Sequence, residues 1–353
     1  MNTRSRVLHW LNVAGSAAVL VAMCVIFSLA VPRFASPENI RNILLQISVN
    51  TTLAVGMTFV ILVAGIDLSV GSVLTLATVA TGSVLLLEGI SVPLRIALGI
   101  GAGIGVGAFF GLINGFVSER WEVPAFVTTL ATMGIARGVA LLVTNSRTLF
   151  GFPQAFLWLG NGTLFWNTLP VMFITPLVLV VVGQFILSRT VFGRYVMAIG
   201  NNEEAARLSG IPTSFYKTIV YVICGITAGI AGISFMARLS IANPILGVGD
   251  ELTAIAATVI GGTSLAGGRG SVTGSFVGAC IVGVLDNALI LLRLSDFVRQ
   301  IITGVVIIVA VILDSYRRRL VRLAEVTAGE ARKRERLEPA AEAELAGKGG
   351  AAR

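Results

Sequence analysis

Charge is what this sequence has least of. Asp, Glu, Lys and Arg make up only 12% of its 353 residues, about half the ~25% usual in soluble domains. A soluble fold of this size cannot cover its apolar surface with so few polar groups. Histidine occurs once, at His9, so a His-based metal site is excluded. The three cysteines, Cys24, Cys224 and Cys280, stand far apart, each inside an apolar run. They read as inert buried thiols, not as a disulfide framework or metal cluster. No Gly-x4-Gly-Lys-[Ser/Thr] loop is present to cradle phosphates, since Gly347-Lys348 is followed by another Gly. No spacing suggests a nucleophile–base triad or a carboxylate pair, which argues against chemistry on a substrate.

What is there is apolar. Hydrophobic residues reach 55% and the mean hydropathy is +0.90, which defines an all-α polytopic membrane protein. The net charge of +8 does not form a basic patch interleaved with aromatics, so nucleic acid is not an expected partner. Apolar stretches near the ~20 residues that cross a bilayer as helix fall at 11–31, 43–64, 70–87, 96–117, 125–143, 169–187, 218–236, 252–265, 272–292 and 297–313. The first is too long for a signal-peptide core and lacks a clear cleavage site. Ten spans put both termini on one face. That face collects more Lys and Arg, among them Arg4, Arg6, Arg120, Arg189, Arg194, Arg207, Lys217, Arg269 and Arg317–Arg319. The positive-inside rule then makes both termini cytoplasmic. Residues 1–10 form a cytoplasmic N-terminus and 11–315 the membrane domain. Residues 316–353 form a mixed-charge tail, expected to fray into disorder and able to meet lipid headgroups through Arg317–Arg319.

Glycine is distributed with a period. Gly99, Gly103, Gly107, Gly111 and Gly115 lie four residues apart on one helix face. Such a row lets a neighbouring backbone approach closely in a membrane. Gly225 and Gly229 repeat the device, and Gly270, Gly274 and Gly278 are expected to do so at the start of span nine. Span eight is short, ~21 Å against a ~30 Å hydrocarbon core, and runs into the glycine-rich stretch 261–270. Two readings remain for it: a discontinuous helix beside a path, or a plain helix–turn–helix at the surface. Three ionisable residues, Asp67, Arg137 and Asp286, lie in or beside spans and should face the interior or water. Asp67 is read first as a cap of the following helix, and Asp286-Asn287 as a helix–helix hydrogen-bonding point.

The longest internal cytoplasmic segment is 188–214. Within it Asn202 is suited to an N-cap, and Glu203 and Glu204 complement the helix dipole. Gly210 fits the C′ position and Pro212 blocks continuation. The spacing predicts a two-turn helix over 203–209, too short to be stable alone in water. Ala205, Ala206 and Leu208 offer it a small apolar surface flanked by Arg207. That surface packs either on the protein itself or on a soluble partner.

Four separated stretches, in consistent order, resemble the permease subunits of ribose-type bacterial ABC sugar importers. They are Gly65–Ser72 (GIDLSVGS), Pro124–Gly138 (PAFVTTLATMGIARG), Gly193–Gly210 (GRYVMAIGNNEEAARLSG) and Ala254–Gly274 (AIAATVIGGTSLAGGRGSVTG). The resemblance runs from about Pro37 to Asp314. It implies an inner-membrane subunit that is not itself an enzyme and binds no cofactor, with ATP-Mg held by a separate cytoplasmic ABC ATPase. It also implies a periplasmic sugar-binding protein and a second permease copy, identical or homologous. Residues Asn202–Gly210 then look like a coupling helix that docks the ATPase. Polar groups in or near spans, Asn50, Thr51, Asp67, Asn114, Thr128 and Thr129, are candidates to line the sugar path. The rival expectation is an ion-gradient-driven sugar carrier using Asp67 and Asp286.

Overall fold

A computed structural model describes residues 3–164, 169–295, 297–306, 308–309 and 311–312. The chain divides into a unit ending at Ile307 and another beginning at Ile308; the architecture below is that of the first. The tail from residue 316, with Arg317–Arg319, lies outside the described residues.

Helices account for nearly all of this unit. They are α1 (Thr3–Ala30), α2 (Pro37–Leu62), α3 (Val70–Leu85), α4 (Val92–Arg120), α5 (Ala125–Thr144), α6 (Gln154–Asn161), α7 (Ile174–Arg189), α8 (Val191–Asn201), α9 (Glu203–Leu208), α10 (Thr213–Leu239), α11 (Asp250–Ile260) and α12 (Val272–Leu291), followed by α13 (Phe297–Val306). Two short strands, β1 (Thr163–Leu164) and β2 (Leu169–Pro170), pair antiparallel before α7. Each of the ten apolar stretches contains a helix, although 169–187 begins on β2, 252–265 outruns α11 and 297–313 is described only in part. Six of these helices are long and apolar enough to cross a membrane, while α11, with 11 residues, measures ~16 Å.

Local chemistry explains the boundaries. Ser36 accepts a hydrogen bond from the Asn39 amide and Pro37 follows at the first helical position of α2, where its missing N–H costs nothing. Ser271 caps α12 by accepting from the Gly274 amide. Asn145 closes α5 in the left-handed region, a conformation Asn tolerates better than most residues.

The long helix α2 forms the axis. About 78% of its apolar window is buried, and it packs on α7, α10, α11 and α12. Near its start, Asn39 and Asn287 of α12 exchange side-chain amide hydrogen bonds of 2.9 and 3.0 Å. Four residues of the glycine row of α4 seal it against α10 and α3. A Cβ at Gly107 would land on the Gly225 carbonyl, one at Gly111 on Tyr221 backbone, one at Gly115 on Thr218 backbone, and one at Gly103 on Thr81 and Ile233. Gly99 touches Thr81 less tightly, and Gly101 and Gly105, on other faces, meet nothing. A second seal joins α11 to α12 through Gly274 on Gly261 and Gly278 on Ala257. Gly270 does not belong to that row. It precedes α12, with φ +159°, and its missing side chain makes room for Thr263. The helix begins two residues later because Ser271, not Gly270, supplies the capping oxygen.

The break in span eight lies before its helix, not only after it. Beyond α10 the chain is irregular from Ser240 to Gly249. Ala242 bridges to Leu149 and sits on Gly82 of α3. Farther along, the Leu246 carbonyl accepts from Thr75, and Gly247 meets Gly71 backbone to backbone. From Gly82 to Gly71 is ~16 Å of helix. This segment therefore runs along α3 before α11 begins, so span eight is an 11-residue helix with irregular backbone on both sides. Non-helical backbone is tolerated at membrane depth only where protein or a water-filled cavity encloses it.

Candidate functional site

The predicted two-turn helix is present as α9. Asn202 caps it by accepting from the Ala205 amide at 2.9 Å. It ends in a Schellman arrangement: the Gly210 amide donates to the Arg207 carbonyl and the Ile211 amide to the Ala206 carbonyl. Gly210 holds φ +82°, which only glycine adopts freely. The capping residues thus specify both ends of a helix that length alone would not sustain.

Its faces divide the expected surface. Ala206 is buried, at 5% exposure, and joins the main core, whereas Leu208 is 79% exposed. Ala205 and Glu204 are exposed too. The apolar patch is therefore two patches: Ala206 anchors α9 to its own protein, and Leu208 points away from it. Arg207 pairs with Glu204 at 2.6 Å, and the neighbouring Glu204 carboxylate holds its guanidinium above the usual range.

Three links tie α9 and its neighbours to the spans. Lys217, in the first turns of α10, reaches Glu119 at the end of α4 (2.7 Å) and Glu203 of α9 (3.0 Å). The Glu119 arm is half-buried and the Glu203 arm is largely solvated, so the latter contributes at most ~1 kcal/mol. The second link is α8, whose helical form the sequence reading missed. Thr190 caps it through the Gly193 amide, and Gly193, Val196 and Ile199 are buried on one side, with Tyr195 and Phe192 stacking on Tyr216 of α10. The recurrence of apolar residues at 192, 195, 196 and 199 was the available signal. The third link is a backbone knot at the end of α8. Gly200 lies on the Leu62 carbonyl and the Gly268 amide. Gly268 N–H donates to the Leu62 carbonyl at 2.9 Å, and Asn201 donates to the Gly268 carbonyl at 3.3 Å. The end of α2, the end of α8 and the loop from α11 to α12 meet there.

Behind this knot lies a closed polar network. Asp67 accepts from both the amide (2.9 Å) and the hydroxyl (2.6 Å) of Ser69. It braces the turn before α3 but does not cap it; Ser69 is the N-cap residue, without a side-chain cap bond. Asn114 of α4 donates to Ser69 Oγ at 2.8 Å, Thr132 of α5 donates to Asn114 Oδ1 at 2.6 Å, and Thr129 reaches the Ile66 carbonyl at 3.3 Å. Asp67, Asn114 and Thr129 are thus brought together and wholly enclosed. Thr51 and Thr128 are buried with no hydrogen-bond partner for their hydroxyls, and Asn50 is half-buried on α2. Among the described residues no cluster of His, Cys, Asp and Glu is fit to hold a metal ion.

Six helices long and apolar enough to cross a membrane, with three shorter apolar ones among the described residues, define a polytopic helical membrane protein. The family model described as a permease component of branched-chain amino acid transport systems matches residues 39–311, and the chain belongs to that family. The ribose import permease RbsC of Haemophilus influenzae is 43% identical over 303 residues, covering 85% of this chain and 92% of its own. RbsC of Escherichia coli K12 is 42% identical, with 87% and 94% covered. The L-arabinose ABC transporter permease AraH of Azospirillum brasilense is 34% identical, with 89% and 91% covered. No solved structure matches.

Proposed function

We propose that this chain is the inner-membrane permease subunit of an ATP-driven importer of a monosaccharide or related polyol, and that α9 is where a separate ABC ATPase drives it. The names of its relatives, ribose and arabinose import permeases, support the sugar. The observation that carries the coupling role is the split of α9: one apolar residue is anchored inside and another, Leu208, is displayed at 79% exposure. A helix this short gains from a partner the packing it lacks alone.

In this reading a second permease copy completes the path, and a periplasmic binding protein delivers the sugar. ATP-Mg stays on the ATPase. Both termini are cytoplasmic, as are the 188–214 loop and the 316–353 tail. Motion imposed on α9 passes through Lys217 to α10 and α4. Through Gly200 and Gly268 it passes to α2 and the α11–α12 hairpin, so that the path alternates between its two openings. Asp67, Ser69, Asn114, Thr129 and Thr132, linked in one network, keep the α2–α3 turn, α4 and α5 moving as one piece.

The test is Leu208→Glu. The variant should insert and fold with stability within about 0.5 kcal/mol of the parent, as expected for a surface change. It should lose the co-purifying ATPase and sugar uptake. Retention of the ATPase at parental stoichiometry would sink the docking assignment.

A further inference from the structure

The irregular segment 240–249 and the start of α11 bring together ionisable groups that the coupling role does not use. Ser72, at the first turn of α3, accepts from Arg137 of α5 at 3.1 Å. Gly71 beside it has no side chain, and the Glu251 carboxylate of α11 occupies the place a Cβ would take. Asp250 and Glu251 open α11, immediately after the irregular segment. The contacts of Gly261 on Gly274 and Ala257 on Gly278 set the α11–α12 hairpin register, which puts Asp250 level with Asp286. Asp286 in turn accepts from Gln46 of α2 and pairs with Arg299 at 3.1 Å.

The bonding of this group is incomplete in a telling way. Asp286 is matched by Gln46 and Arg299. Glu251 Oε1 accepts from the Gly249 amide at 3.2 Å, yet Glu251 Oε2 and Asp250 Oδ2 are fully enclosed and have no hydrogen-bond partner. Arg137 lies within electrostatic reach of Glu251 but gives its bond to Ser72. A purely structural ion pair would close that gap, because a buried carboxylate oxygen left without a partner loses its hydration uncompensated. Ionisable groups enclosed within a membrane protein face the interior or water and mark a solute pathway by default.

We propose that Asp250 and Glu251, with Arg137 and Ser72 opposite them, form a weak hydroxyl-binding station for a neutral polyhydroxylated solute on its way through the membrane. The inference rests on the sugar-import reading and locates a subsite within it. Two carboxylate oxygens without partners accept hydroxyl protons from adjacent carbons of a sugar. The Arg137 guanidinium and the Ser72 hydroxyl donate to its oxygens. Only a few hydrogen bonds form, so the solute leaves as readily as it arrives.

Radiolabelled ribose and arabinose uptake in membrane vesicles holding the whole complex tests the station. Asp250→Asn and Glu251→Gln, singly and together, should cut uptake at least tenfold in the double variant. ATPase association and ATP hydrolysis stimulated by the binding protein should persist. Parental uptake in the double variant overturns the station. If the double variant fails to assemble, labelling decides. In a chain with Cys24, Cys224 and Cys280 replaced by Ala, Glu251→Cys should react with a charged, membrane-impermeant methanethiosulfonate, while Val181→Cys on the outer face of α7 stays silent. An unreactive Glu251→Cys overturns the station. Parental vesicles that take up neither sugar would instead break the sugar reading, which the labelling does not depend on.

Discussion

Glycine does opposite work in two regions of this molecule. Between α4 and α10 it removes side chains so that two unbroken helices touch backbone to backbone. In the stretch from Gly247 to Gly270 it supplies backbone conformations that no helix contains, with φ of +73° at Gly247, +90° at Gly249 and Gly262, +82° at Gly267 and +70° at Gly268. The first use makes a rigid clamp; the second breaks a span and ties the loop from α11 to α12 against α2 and α8. One part of the molecule stays whole, and in the other the backbone departs from helix.

Breaking the clamp should have the largest effect. Gly107→Leu drives a side chain into the Gly225 backbone, and overpacking of this kind typically costs 1–3 kcal/mol and more where backbone is the obstacle. The expected result is loss of the monodisperse species on size-exclusion chromatography in detergent. Gly105→Leu, two residues away on an open face, should leave that peak intact. Equal damage from both would show that the clamp does not depend on close approach. A change in the second region should be smaller in stability and larger in function. Gly268→Ala keeps the helices but strains a positive φ and presses on Asn201, at a cost of about 1–2 kcal/mol. The complex should assemble with a thermal midpoint a few degrees lower, and uptake should fall several-fold at unchanged ATP hydrolysis, because the stroke no longer reaches α11. Arg207→Ala is the smallest. It removes a solvent-screened ion pair on the surface, and thermal unfolding should not distinguish it from the parent.

Much of the fold was legible because its signals are local. Ten apolar stretches, a glycine row at a period of four, and caps at Asn202 and Gly210 need no tertiary information. The irregular backbone before α11 was legible only as an anomaly of length, since the irregular segment from Ser240 to Gly249 is held by Gly71, Thr75 and Gly82, far away in sequence. The same limit hid the two-sidedness of α9. Ala206 and Leu208 both read as apolar, and only the position of the core decides that one is an anchor and the other a display. Gly270 looked like part of a helical row because its spacing fits; that Ser271 supplies the cap decides otherwise. Asp67, Asn114 and Thr129 stood out as polar residues in an apolar chain, but the bonds that satisfy them, through Ser69, Thr132 and the Ile66 carbonyl, are a long-range fact. The carboxylates at 250 and 251 were passed over because they sit just outside the apolar run. Charge at the edge of a span reads as surface until the chain before it is seen to run along α3.

The exchange of amides between Asn39 and Asn287 joins residues 248 positions apart. During synthesis, Asn39 enters the bilayer long before its partner exists. The most enclosed of the long helices is therefore also the one that must wait for almost the entire chain; its Asn39 amide has a local acceptor in the Phe34 carbonyl at 2.8 Å, but its Oδ1 gains its Asn287 donor last. Completion of the polypeptide is what closes the bond, so this pair distinguishes a finished permease from a truncated one.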